Sequence, residues 1–305
     1  MRIEVTGVSK RFGPAVAVDD LSFSVRPGAV TGFVGPNGAG KSTTMRVMLA
    51  LDRPDSGRAT FDGRPYRDLH EPMRAVGALL DAKAVHPRRS ARNHLRMFAA
   101  TNRIPDGRVD EVLGLVGLGD VATRRAGGFS LGMGQRLGLA LALLGDPPVV
   151  ILDEPANGLD PEGIIWIRTF MRYLADQGRT VFVSSHMLSE LGQVVDELVV
   201  IGKGRLLASG SLHDVLGTGG RVAVTVVSPD AVRLAELVRA RGATVTPDYG
   251  HRIDVSGLDA RAVGELAAAH AIVLHELTPR EPSLEDAFLR LTSDTQEFRA
   301  GEAET

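Results

Sequence analysis

Two stretches of this chain place residue types at spacings that suit phosphate chemistry. Gly35–Thr43 reads GPNGAGKST and fits the pattern G-x-x-x-x-G-K-[ST]. In such a loop the glycines let successive backbone N–H groups curl around a β-phosphate, and the following helix N-terminus adds positive potential. Lys41 reaches the β- and γ-phosphates and the Ser42 hydroxyl suits Mg²⁺, so Gly35, Pro36, Asn37, Gly38, Ala39, Gly40, Lys41, Ser42 and Thr43 form the expected nucleotide cradle. Chance yields about 0.006 such matches in a chain of this composition, and the flanking pattern of strand then helix narrows the odds further. The second stretch, Val149–Glu154 (VVILDE), is an apolar run ending in two carboxylates. Side chains alternate along a strand, so Asp153 and Glu154 diverge, one suited to a metal and the other to positioning a water. Phosphoryl transfer to water needs in-line geometry and charge neutralisation rather than covalent catalysis, and the same acids would also serve a kinase.

These residues need rigid elements to carry them. Ala29–Val34, Val149–Leu152 and Thr180–Ser184 are short, nearly continuous apolar runs, the pattern of parallel strands buried on both faces. Ser42–Leu51 is an amphipathic helix pattern, and Leu198–Ile201 with Arg205–Ser209 around Gly202–Gly204 reads as a closing hairpin. The alternation predicts an α/β domain over 1–217. GTGG at 217–220 is a compositional break. Beyond it, strand (Val222–Val227), helix (Asp230–Ala240), strands (Thr244–Thr246, Arg252–Ser256), helix (Ala260–Ala269) and strand (Ile272–Leu277) predict a small α+β unit over 221–292. A helix at Ser283–Leu291 and a disordered tail over 293–305 complete the expectation.

Composition bounds the function. The 305 residues, 44% hydrophobic and 24% charged, suit a globular protein of two domains. Thirty-five basic against 37 acidic residues give a net charge of −2, without the positive bias that nucleic-acid binding requires, so no nucleic-acid partner is expected. The chain has no cysteine, which excludes thiol nucleophiles and disulfide scaffolds. No apolar run reaches the ~20 residues of a membrane span, and the N-terminus lacks a secretory h-region, so a cytoplasmic protein is expected.

With further motifs the chain resembles the ATP-binding cassette (ABC) family over about Ile3–Leu216. Ser130–Gln135 (SLGMGQ) precedes the acidic strand by about twenty residues, where the family carries its LSGGQ signature; Asn157–Asp160 (NGLD) resembles the D-loop; and SSH at 184–186 ends the next strand where the family places a switch histidine. The resemblance implies a P-loop ABC-type nucleotide-binding domain, with a mixed sheet and a helical subdomain, that hydrolyses ATP with Mg²⁺. It places Phe12 against adenine, with Val18 also among the nucleotide contacts. It puts His186 on the γ-phosphate, makes Glu154 the other catalytic residue, and places Ser130, Gly132 and Asp160 at a nucleotide held by a second copy of the chain. The metal would be held by Ser42 and Asp153.

Two departures stand out. Asp81 occupies the position of the family's Q-loop glutamine, and a carboxylate there joins the expected catalytic and metal residues and alters Mg²⁺ or ATP affinity. Against LSGGQ the aligned residues are Phe129, Ser130, Leu131, Gly132 and Met133, so the first Gly and the Gln are replaced. Such variants, and the extension ending in LTPREPSLEDAFLRL, are similar to cassettes of ABC-2-type exporters, including antibiotic-resistance and bacteriocin-immunity ATPases. The resemblance then implies an energy-coupling subunit bound to a separate permease at the inner membrane face, docked around Val85–Ala100. An ABC-type ATPase acting on DNA or ribosomes is the alternative, and it would carry a coiled coil or two fused cassettes. A P-loop kinase is disfavoured by the ordered signature, D-loop and switch histidine.

Overall fold

The computed structural model describes residues 1–81, 85–186, 191–219, 223–247 and 250–280. The chain divides into two compact units, Met1–Leu212 and, among the described residues, 213–280.

In the first unit a long hairpin, β1 (Ile3–Phe12) and β2 (Ala15–Val25), pairs with β4 (Ser56–Phe61) in a three-stranded antiparallel sheet, order β2-β1-β4. A second sheet has the order β5-β6-β7-β3-β8-β9. Its strands are β3 (Val30–Val34), β5 (Val76–Leu79), β6 (Val149–Leu152), β7 (Thr180–Ser185), β8 (Glu197–Gly202) and β9 (Arg205–Ser211). The first five are parallel and β9 returns antiparallel to β8. Lys203 and Gly204 both have positive φ, 47° and 79°, as a two-residue hairpin turn of this hand requires. Every residue of β3, β6 and β7 is buried, which is why these strands read as unbroken apolar runs.

The sheets are joined by aromatic packing. The Phe23 ring on β2 lies 5.5 Å from Phe33 on β3 and 5.6 Å from Phe182 on β7. This contact, which no local sequence signal announces, carries the hairpin to the glycine-rich loop. The helices of the unit are α1 (Lys41–Met48), α2 (Pro72–Ala75), α3 (Ala91–Thr101), α4 (Gly107–Leu115), α5 (Leu131–Leu143) and α6 (Pro161–Asp176). α3, α4 and α5 pack against one another, and α5 also packs on β5, where Gly138 lets the Leu79 side chain approach.

α7 (Leu212–Gly219) spans the expected break, so the backbone is helical through Gly217–Gly219. The second unit has an antiparallel sheet, order β11-β12-β10-β13, with β10 (Ala223–Val227), β11 (Thr244–Pro247), β12 (Arg252–Ser256) and β13 (Glu276–Arg280). α8 (Ala231–Ala240) and α9 (Ala260–Ala269) bury Leu234, Val238, Val263 and Leu266 against Val224, Val226 and Val255. The last strand is displaced from the expected Ile272–Leu277. Ile272 is buried, but its N–H bonds back to Ala267 at the end of α9, and ladder pairing begins only with Glu276 opposite Val227. The expected helix at Ser283–Leu291 and the tail lie outside the described residues.

Candidate functional site

Parallel pairing brings the chemistry to one end of the second sheet. Leu152 stands opposite Val183, and Val34 opposite Ser185, so Gly35, Asp153, Glu154 and His186 leave neighbouring strands at their carboxyl ends. That edge is where open α/β sheets bind ligands.

A crevice of about 350 Å³ lies there, lined by Asn37–Thr43 of the loop together with Ala17, Glu154, Asn157 and His186. The loop is built around a close approach: Gly40 has φ 101°, and a Cβ on it would sit 2.3 Å from the Ala17 carbonyl oxygen. Only glycine meets both demands. No side chain caps the start of α1, so its first N–H groups lack that partner. Lys41 is 7% exposed, and its Nζ donates to the carbonyls of Gly35 (2.7 Å) and Pro36 (3.3 Å) and lies 3.7 Å from Glu154 Oε1. Burial holds the Lys41 ammonium below its ordinary pKa, while the charges of Glu154 and Asp153 pull it back up.

The acids and the histidine form a linked set. Ser184 Oγ donates to Asp153 Oδ1 (2.5 Å) and accepts from the Glu154 N–H (2.9 Å). His186 Nδ1 lies 2.7 Å from Glu154 Oε2, and the His186 N–H donates to the same oxygen at 3.3 Å. Glu154 has φ 49°, a left-handed conformation that costs a non-glycine residue about 1–2 kcal/mol. The bond to Ser184 and the pairing with His186 hold it there. Ser184, wholly buried, stands inside the SSH segment, and its role as the clip joining the Asp153 carboxylate to the Glu154 backbone becomes visible only through the β6–β7 contact.

The other expected residues separate. Phe12 is 50% exposed at the hairpin tip, with Lys10 Nζ 5.1 Å from its ring centroid, and it does not line the phosphate crevice. Val18 is wholly buried, with its Cγ2 3.5 Å from where a Gly40 Cβ would stand. It therefore supports the loop from beneath. Ser130, Gly132 and Asp160 line a different cavity of about 380 Å³ between α5 and α6. Ser130 caps α5 by accepting the Met133 N–H (3.2 Å), and Asp160 caps α6 by accepting that of Gly163 (2.9 Å).

Asp81 follows β5 at the level of Glu154, since Leu79 pairs with Leu152, and it lines an adjoining cavity with Tyr66, His94 and Phe98 rather than the phosphate crevice. From that placement Asp81→Gln is expected to leave the Kd for Mg·ATP within about twofold of the parent. Titration calorimetry with both proteins measures this, and a tenfold change would return Asp81 to the metal set.

His94, on the same cavity, is 2% exposed, and neither ring nitrogen has a hydrogen-bond partner among the described residues. Burial first, and then the charge of Arg89, lowers its pKa below the ordinary 6.5. The imidazole stays neutral in the folded protein, so the unfolded chain takes up more protons as pH falls through 6.5, and stability drops. His94→Leu is expected to show a smaller Tm decrease than the parent between about pH 7.5 and 5.5 in thermal melts.

Among the described residues no cluster of three or more His, Asp or Glu side chains could hold a metal by itself. Ser42 and Asp153 offer hard oxygen donors of the kind Mg²⁺ takes one or two at a time, with nucleotide phosphates and waters completing the shell. The donor set therefore fits that ion.

The family model described as "ABC transporter" matches residues 18–157, and a "domain of unknown function" model matches 222–285. The chain is 35% identical over 305 residues to an uncharacterized ABC transporter ATP-binding protein, YhcH, of Bacillus subtilis (strain 168), covering 97% of both chains. It is 34% identical to the Nod factor export ATP-binding protein I of Rhizobium sp. (strain N33), covering 97% of this chain and 98% of that protein. A solved ATP-binding subunit of an ABC transporter superposes with a TM-score of 0.65 at 27% identity, covering 72% of this chain and 93% of that one. With its nucleotide loop and acid pair on that scaffold, the chain belongs to the ATP-binding cassette family, as the ATP-hydrolysing ATP-binding subunit of an ABC transporter.

Proposed function

We propose that this subunit drives export through a separate membrane permease, working as an ATP-sandwich dimer in which each catalytic site is completed by a second copy. The observation that carries the reading is the division of the expected residues between two crevices: the loop, Lys41, Glu154 and His186 in one, and Ser130, Gly132 and Asp160 in the other. Residues this separate within one chain can meet at one nucleotide when two copies face each other. ATP then favours a closed pair and hydrolysis reopens it, the two arrangements that coupling requires.

Within the crevice the loop N–H groups and Lys41 hold the β- and γ-phosphates, exchanging the Gly35 and Pro36 carbonyls for phosphate oxygens. Glu154 orients the attacking water and accepts its proton, while His186 steadies the carboxylate and faces the γ-phosphate. Ser42 and Asp153 would hold Mg²⁺, which would supply neutralisation of the charge that develops on the phosphate oxygens. Phe12, exposed beside the crevice-lining hairpin, offers a ring face for adenine.

Among the described residues no helix is long and apolar enough to cross a membrane, so we assign the pathway to a permease and place this subunit on the cytoplasmic membrane face. Export rests on the relative named for Nod factor export, and on the variant signature that the chain shares in kind with ABC-2-type exporters. Affinity purification of the tagged subunit from detergent-solubilised membranes is expected to recover a protein with about six apolar segments of ~20 residues. Vesicles bearing both proteins should then move substrate from the ATP side to the opposite side. Recovery of ribosomes or DNA in place of such a partner would refute the assignment.

A further inference from the structure

Leu131 stands where the family's signature has its first glycine, and it has no part in the function proposed above. It opens α5 with 44% of its surface exposed, so it is not a core residue. Its side chain lies on the turn that follows the hydrolytic carboxylate. Gly158 in that turn has φ 70°, and a Cβ on it would stand 2.1 Å from Leu131 Cδ2 and 3.4 Å from Leu131 Cγ, so the atoms nearest that point all belong to one side chain. The next residue of each segment returns the contact: a Cβ on Gly132 would meet Leu159 Cδ2 at 3.4 Å. The pairs Leu131/Gly132 and Gly158/Leu159 therefore interlock, each leucine lying against the other segment's glycine.

This turn is tied to the acid by its own backbone. The Asn157 N–H donates to the Glu154 carbonyl and the Leu159 N–H to that of Ala156, both at 3.1 Å, and Asn157 lines the phosphate crevice with Glu154. Glu154 is held at φ 49°, a conformation that a non-glycine residue keeps only when its neighbours enforce it. Ser184 and His186 hold Glu154 itself, and Leu131 holds the turn behind it. We propose that Leu131 is a positioning residue for hydrolysis: acting through Gly158, it fixes residues 155–159 and with them the direction from which the Glu154 carboxylate meets the attacking water. The inference rests on Glu154 as the water-orienting group, and it adds a residue that lies outside the phosphate crevice.

Leu131→Ala keeps a good helix former at the start of α5 and removes the side chain over Gly158. Steady-state assays should show kcat for ATP hydrolysis reduced about tenfold, because a small misplacement of a catalytic group costs turnover. KM for ATP and the calorimetric Kd for Mg·ATP should stay within about twofold of the parent, with the melting temperature near the parental one. Leu131→Met, of similar volume and able to reach Gly158, should retain most of the parental rate. In a Glu154→Gln background the effect should vanish: single-turnover hydrolysis by the double variant should be no slower than by Glu154→Gln alone, since a residue that acts through Glu154 has nothing left to position. Parental kcat in Leu131→Ala, a raised KM with kcat kept, or a further tenfold loss in the double variant would overturn the proposal, the last two by making Leu131 a contact for nucleotide or for the second copy. Should Glu154→Gln itself hydrolyse at the parental rate, the assignment of the base falls and this inference with it, a result distinct from the other three.

Discussion

Glu154→Gln is expected to cut steady-state ATP hydrolysis by about 100-fold or more, the usual effect of losing a positioned general base. The amide keeps the size of the carboxylate and can still bond to His186, but it cannot take the water's proton. Asp153 remains tied to Ser184, so the metal donors and the phosphate loop are undisturbed, and the Kd for ATP should stay near that of the parent. Binding without turnover traps the nucleotide-loaded state. Light scattering should then show a dimer in Mg·ATP for the variant where the parent is mostly monomeric. A variant that hydrolyses at the parental rate would mean that Glu154 is not the base. Slow turnover without dimerisation would break the two-copy site while leaving the base in place.

Lys41→Ala should act on the other limb of the mechanism. Its ammonium is 7% exposed and is held among two loop carbonyls and Glu154, a place where a triphosphate would take over the carbonyl contacts. Hydrogen bonds to a charged group are worth about 1.5–3 kcal/mol, so ATP affinity should fall about 10- to 100-fold. Calorimetry measures this directly, and circular dichroism should show an unchanged fold, because the loop's shape depends on Gly40 and the Ala17 carbonyl rather than on the lysine. The two variants then separate cleanly, one losing turnover with binding intact and the other losing binding first. Parental affinity in Lys41→Ala would remove the loop from the nucleotide site.

Much of this architecture could be read locally. Glycines at forced positions, a lysine and hydroxyl at fixed offsets, and apolar runs without alternation each report a constraint satisfied within a few residues, which is why Val149–Leu152, Arg252–Ser256 and Ala260–Ala269 coincide with their elements. What was missed depends on neighbours distant in sequence. Ile272 is apolar and buried but serves the end of α9, so hydrophobicity alone started the last strand too early. The hairpin β1–β2 has mixed polar and apolar residues because its sheet is covered unevenly, and only the packing of Phe23 on Phe33 and Phe182 explains how Ala17 reaches the loop.

The amino-acid order by itself determined the nucleotide loop, the acid pair at a strand end and the succession of motifs that marks the family, since each is a short-range pattern with its own steric or electrostatic demand. Tertiary structure alone decided that Ser184 ties the Asp153 carboxylate to the Glu154 backbone, that His186 meets Glu154, that Val18 lies under the loop and that Asp81 lines a neighbouring cavity. Those outcomes depend on which strands pair and on which side of a sheet a side chain leaves. Pairing is settled by the burial of the whole sheet, a long-range quantity that no window of local sequence contains.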